Sequence, residues 1–186
     1  MLLFLLFISV FIVTACSWAL WQSWQDRLAD AAVQARNQAL SLSRQAQDTF
    51  LQVSIALDEI ARKADDVYAR PEAYSGKRGL LAAQSVSLPQ LEGLFVYDAE
   101  GNWLATSLDQ RSPHMNNADR DYFIRHREYA DEGVHIGQVI RSRSSGELII
   151  PVSRRLNDAE GHFRGVVLGT VKVGYFRQFY GWYEQS

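Results

Sequence analysis

Apolar residues run from Leu2 to Leu20 without a charge, a stretch long enough to cross a bilayer. Beyond it the pattern changes to a spaced stripe. Leu28, Ala32, Ala35, Ala39, Leu42, Ala46, Thr49, Val53, Ala56, Ile60 and Val67 recur at alternating intervals of four and three, and no Gly or Pro interrupts residues 26–68. That is a heptad stripe on a continuous helix, and roughly 40 residues at 1.5 Å each predict a rod of about 60 Å. The stripe either docks on the protein's own sheet or forms a dimer seam, and its many alanines suit close helix approach. Arg70-Pro71 and Ser75-Gly76-Lys77 break the pattern, and a loop or short helix leads to Pro89.

The period then shortens to two. Gly93 to Tyr97 reads as a strand, Asp98 to Asn102 as a tight turn and Trp103 to Ser107 as the hairpin partner. Asn117 is placed to cap a helix from Ala118 to about Ala130. Strands over 134–140, 147–156 and 163–173 follow, with turns at Ser144-Ser145-Gly146 and 157–161, and a short helix over 175–183 closes the chain. The order predicts an α+β fold, a long N-terminal helix (membrane anchor plus rod) packed on an antiparallel sheet of about five strands. The expected organisation is a transmembrane signal anchor over 1–25, a long signalling and dimerisation helix over 26–69, and a ligand-sensing domain over 70–186.

Composition narrows the function. The chain has 186 residues and a net charge of −2, with no basic tail or continuous basic face, which argues against nucleic acid. Cys16, the single cysteine, lies in the apolar leader, so the remainder has neither a disulfide framework nor a Cys-based zinc site. Three readings of the leader stay open. An uncleaved signal anchor is favoured by its length and by Trp18, Trp21 and Trp24 at its end, arranged like an interfacial aromatic belt. Val13-Thr14-Ala15-Cys16 also resembles a lipoprotein processing site, and a plain cleaved signal peptide is the third. A literal positive-inside count places the following domain in the cytoplasm, but Asp26 and Asp30 interleave the arginines that drive that count.

The chemistry gathers between Asp119 and Arg155. Asp119-Arg120-Asp121-Tyr122-Phe123 opens a helix, Arg141-Ser142-Arg143-Ser144-Ser145-Gly146 is a basic turn, and a strand ends in Ser153-Arg154-Arg155. A guanidinium grips a carboxylate with two parallel hydrogen bonds, and an aromatic ring covers the ligand's carbon skeleton. Arg154 and Arg155 point to opposite strand faces, so at most one faces a pocket and the other is solvated. His114, His126, His135 and His162 lack metal-ligand spacing. There is no nucleophile elbow, P-loop or dinucleotide fingerprint, so neither an enzyme active site nor a metal or cofactor is expected.

Leu94-Phe95-Val96-Tyr97-Asp98-Ala99-Glu100-Gly101, then Leu104-Ala105-Thr106-Ser107, Asp119-Arg120-Asp121-Tyr122-Phe123 and Gly165-Val166-Val167 together resemble the extracytoplasmic Cache (PAS-like) sensor family over residues 28–183. The basic turn and the Ser-Arg-Arg strand end look most like sensors of membrane-bound diguanylate cyclases. The resemblance implies a periplasmic sensor anchored in a bacterial inner membrane, relaying to a cytoplasmic output such as a diguanylate cyclase. It also implies that the chain is a fragment of a longer protein.

Within that resemblance, Arg120, Tyr122 and Phe123 match the element that grips a ligand carboxylate. The Asp that holds an amine in amino-acid sensors falls at Thr170, and a Tyr-x-Asp element is absent before the Ser-Gly turn. The expected ligand is therefore a small organic anion, a carboxylate without an obligatory amine, held by Arg120, Tyr122, Phe123, Arg141, Arg143, Thr170 and Lys172. Expected partners are the membrane and a second copy, as a homodimer through the long helix. The alternatives are a membrane-anchored dimerisation or interaction domain without a small-molecule ligand, and the sensor of a histidine kinase or chemoreceptor.

Overall fold

The computed structural model describes residues 2–109, 115–131 and 133–180. The chain forms two units, residues 1–47 and residues 48–186. The described residues of the first are helical throughout, within α1 (Leu2–Arg62). Among the described residues no helix is long and apolar enough to cross a membrane, and most side chains of the expected Leu2–Leu20 span lie outside them. Cys16, Trp18 and Trp21 are exposed, and the side chain of Trp24 lies outside the described residues. Of the stripe in this unit, Ala35 and Ala39 are exposed and Leu42 and Ala46 half-buried, while Leu28 and Ala32 fall outside the described side chains.

In the second unit the same stripe is core. Thr49, Val53, Ala56 and Ile60 of α1 and Val67 of α2 (Ala64–Ala69) are all buried. The short helices α3 (Pro71–Tyr74) and α4 (Leu80–Val86) occupy the stretch expected as a loop or short helix. The sheet follows, with β1 (Leu91–Asp98), β2 (Trp103–Thr106), β3 (His135–Ile136), β4 (Ile140–Arg141), β5 (Leu148–Asn157) and β6 (Phe163–Lys172). Its order is β2-β1-β6-β5-β3, with β4 also on β5, and every pairing is antiparallel. The expected α+β class holds, with six strands instead of about five. The α6 helix (Val173–Tyr180) follows, and the rest of the helix expected over 175–183 lies outside the described residues.

Strand alternation gives the sheet two cores. Leu94 and Val96 of β1 and Val167 and Val171 of β6 face Val53, Leu57, Ile60, Val67 and Leu81. Phe95 and Tyr97 of β1 and Val166 and Leu168 of β6 face Tyr122 and Phe123 of α5 (Asp121–Glu128). Full burial of each such side chain is worth about 1.5–3 kcal/mol. Arg154 pairs with Asp58 of α1 at 2.5 Å, adding an ion pair to the helix face.

Two local deviations shape the opposite face. The strand expected over 134–140 is interrupted at Gly137-Gln138-Val139. Its neighbour on β5 is Pro151, which has no N–H to offer the ladder, and Gly137 N donates to the Pro151 carbonyl (2.8 Å) as the edge peels away. A side chain at Gly137 would meet the Pro151 ring at 2.8 Å. The second deviation is a bulge in β1. Leu91 pairs with Val171 and Gly93 with Thr170, leaving Glu92 as the extra residue, and a bulge of this kind re-aims a side chain.

Candidate functional site

The α5 helix begins later than expected because Asn117 does not cap it. The N-cap residue is Arg120, without a side-chain cap bond, and the Asn117 amide joins three aromatic residues instead. Its Nδ2 donates to the Tyr122 hydroxyl (2.6 Å) and the Tyr97 hydroxyl (3.3 Å), and its Oδ1 accepts from Trp103 Nε1 (3.0 Å). Burial pushes both phenols above their usual range, so they stay neutral as hydrogen-bonding groups. The helix C-terminus is closed from the sheet. Arg155 Nη1 donates to the carbonyls of His126, Arg127 and Tyr129, which satisfies end carbonyls that lack helical partners.

These residues frame a small cavity of about 20 Å³ lined by Phe95, Tyr97, Trp103, Asn117, Arg120 and Tyr122, by Ile140 to Ser144 of the basic turn, and by Ile149, Leu168 and Thr170 of the sheet. That is room for about one water. Arg120, Tyr122 and Ile140 also line an adjoining cleft of about 570 Å³, bounded by Ile136, Gly137, Gln138 and Pro151 where the edge strand breaks. The proline therefore opens an entrance beside the cavity.

Of the expected site residues, Arg120, Tyr122, Arg141, Arg143 and Thr170 line this one cavity. Arg120 is half-buried. Its Nη2 donates to the Arg141 carbonyl (3.1 Å), and its Nε is buried with no protein partner. Arg143 forms a two-pronged pair with Asp119 (2.8 and 2.7 Å) and reaches the Asn116 carbonyl. That pair holds the Asp119 carboxyl at about 2 and latches the turn to the start of α5. Arg141 Nη1 donates to the Gly146 carbonyl within its own turn (2.6 Å). Thr170 Oγ1 exchanges hydrogen bonds with the Gly93 backbone.

Phe123 and Lys172 do not line the cavity. Phe123 is fully buried against Phe163, and Lys172 lies beside Pro89, Leu148 and Tyr175 at the far end of β6. Arg154 and Arg155 also lie outside it, and the expected solvated partner is not found: Arg154 is paired to Asp58, and Arg155 is buried and capping α5. Sequence reasoning missed Tyr97 and Trp103, which alternation alone could have placed on the face of Phe95. It also missed the hub role of Asn117 and the position of Glu92, neither of which leaves a periodic signal.

No family model matches the chain, and no curated protein does. Solved structures match it well. The extracellular domain of a protein named as a histidine kinase, rpHK1S-Z16, is 35% identical with a TM-score of 0.72, covering 83% of this chain and 62% of that one. The fold is that of extracellular sensor domains. The Vibrio cholerae histidine kinase DctB sensor domain shares it (17% identity, TM-score 0.54, 74% of this chain and 53% of that one). So does the ligand-binding domain of the Campylobacter jejuni chemoreceptor Tlp3, solved with 4-methylisoleucine (13% identity, TM-score 0.56, 74% and 56%). The chain spans less than two thirds of each of these sensor structures.

Proposed function

We propose that this chain is the extracytoplasmic input part of a bacterial transmembrane signalling protein, and that its cavity binds a small organic carboxylate without chemical turnover. The observation that carries the reading is the buried Arg120 Nε without a protein partner, at the junction of a tight cavity and an open cleft. A buried guanidinium donor left unpaired costs free energy that an incoming carboxylate recovers. A ligand larger than water must displace the turn over 141–146, which β4 holds by only two paired residues and Arg143 by its latch to Asp119. Arg141 and Arg143 come free to face the ligand as that turn moves, and Tyr122 covers it. The ligand biases the sheet between two arrangements against the last turns of α1, which requires different affinity for the two. The anchor lies in the inner membrane with the sensor in the periplasm, α1 pairs with a second copy, and the output is a histidine kinase, a chemoreceptor or a diguanylate cyclase.

One observation favours a second reading, a dimerisation or interaction domain without a ligand: the inner cavity has room for about one water. A thermal-shift screen of organic acids on the full chain decides between them. Stabilisation by one class of carboxylate supports the sensor, and no shift across the whole panel supports the interaction domain.

A further inference from the structure

The sensor reading uses the start of α5 and leaves its other end without a role. There the buried His126 is tied to the edge of the sheet through one serine. Its Nε2 lies 3.0 Å from Ser153 Oγ on β5, and that hydroxyl donates to the His135 carbonyl of β3 (3.4 Å). The His135 ring stands edge-on to the His126 ring, with centroids 6.2 Å apart. Imidazoles from α5 and β3 thus meet beside a fully buried serine.

The surroundings favour a neutral His126. From β5, Arg155 Nη1 donates to the His126 carbonyl, and β6 presents the apolar Phe163, Val166 and Leu168 on this side of the sheet. From β3 comes His135. Arg125, Arg127 and Glu128 stand on α5 itself and Asp131 follows it; Asp131 already faces Arg125 at 3.9 Å, and Glu128 is exposed. Among the described residues neither His126 nor His135 has a carboxylate within ion-pair distance. Burial, before any charge, holds both rings below the ordinary 6.5, His126 at about 4. A proton on His126 therefore adds a cation to a buried place that already faces cations.

What gives way depends on how each neighbour is held. Tyr122 and Phe123 anchor α5 in the core, and Arg155 holds its last carbonyls. The last strand of the sheet, β3, is held on one side by two residue pairs, His135 with Ser153 and Ile136 with Val152. One more bond, from Gly137 N to the Pro151 carbonyl, follows before the edge peels away. His135, Ile136 and Gly137 also wall the cleft beside Arg120.

We propose that β3 is an acid-released gate: protonation of His126 frees this edge strand from β5 and widens the cleft. That the cleft is a ligand's way in rests on the sensor reading, whereas the release of the strand does not. The gate is fully closed above pH 6.5, where His126 is neutral whether packed or released, and it loosens as pH falls toward 4.

Amide hydrogen exchange on the full chain, each rate divided by its intrinsic rate at the same pH, reads the gate without any ligand. Between pH 7 and pH 5 the protection of the Gly137 amide should fall roughly twentyfold, the ratio set by a pKa of 6.5 when released and about 4 when packed. Val96 and Val167 of the central strands should keep theirs. His126→Asn should remove the pH dependence at Gly137, and His135→Gln, which spares the trigger, should retain most of it. Flat protection at Gly137 in the parent overturns the gate, as does an equal loss at Val96 and Val167, which is global unfolding. A fall that survives in folded His126→Asn, or that vanishes in His135→Gln, overturns the assignment to His126. None of these outcomes touches the sensor reading, which the thermal-shift screen decides.

Discussion

The two faces of the sheet are built from the same strands and differ in what they leave unfinished. On the helix face Leu94, Val96, Val167 and Val171 meet Val53, Leu57, Ile60 and Val67, a closed apolar contact. On the other face Phe95, Tyr97 and Leu168 meet a hydrogen-bonded aromatic cluster and a cavity, lined by Arg120, whose Nε is buried without a protein partner. One face supplies stability, and the other spends part of it on a site. Because the period is two, each strand serves both purposes, so a ligand on one side presses on the same backbone that carries α1 on the other.

Changes on the closed face should have the largest effect on stability. Leu57→Ala removes a fully buried side chain and should cost about 2–5 kcal/mol in urea unfolding, with ligand affinity of the folded fraction unchanged. A loss under 1 kcal/mol would show that the helix face is not the stabilising one.

His126 gives a pH-dependent counterpart on the site face. Burial holds its folded pKa at about 4, below the ordinary 6.5, so between these values the unfolded chain takes up a proton that the folded one refuses. Stability from this group is fully present above pH 6.5 and is lost as pH falls toward 4, by up to about 3 kcal/mol. Unfolding curves across that window should show the decline, and His126→Asn should flatten it; an unchanged slope would place the titration elsewhere.

The latch should matter less to stability. Arg143→Ala removes an exposed pair with Asp119 and should cost no more than about 1 kcal/mol. Ligand association should nevertheless speed up in stopped-flow mixing, because the turn opens more readily. The Asp119 pKa of about 2 places the pair's acid sensitivity low: its contribution is present above the ordinary carboxylate pKa and is lost as pH falls through about 2. Smallest of all is the effect of Ala39→Glu with Ala46→Glu on the unit over 48–186, since Ala39 is exposed and Ala46 half-buried. If the free part of the stripe is a dimer seam, sedimentation should show weak association in the parent and none in the double variant. A parent that stays monomeric at high concentration removes the seam.

Periodicity made much of this legible in the sequence. The hairpin around Asp98 to Asn102 and the last two long strands stand where alternation and turn residues put them, whereas the helix bearing Tyr122 forms but starts later than expected, at Asp121, with Arg120 as its N-cap residue. The stripe on α1 was visible but its two fates were not, because burial depends on what the sheet offers and not on the helix alone. Asn117 read as a cap, since its amide could satisfy a local helix end as well as three distant rings. Glu92 was invisible for a stronger reason: a bulge inverts the face of every residue before it, and nothing in a period-two reading marks where that happens. Of the two arginines at 154–155, at most one was expected to face a pocket and the other to be solvated; both are structural, one against α1 and one under α5.

The central claim is that Arg120 holds a ligand's carboxylate, and calorimetric titration of the full chain with and without Arg120→Ala tests it most directly. For the acid or amino acid that binds the parent best, the variant should lose about 1.5–3 kcal/mol of binding, roughly 10-fold to 150-fold in affinity, while its melting temperature without ligand stays close to the parent's. The same ligand bound with unchanged affinity in the folded variant would contradict the account.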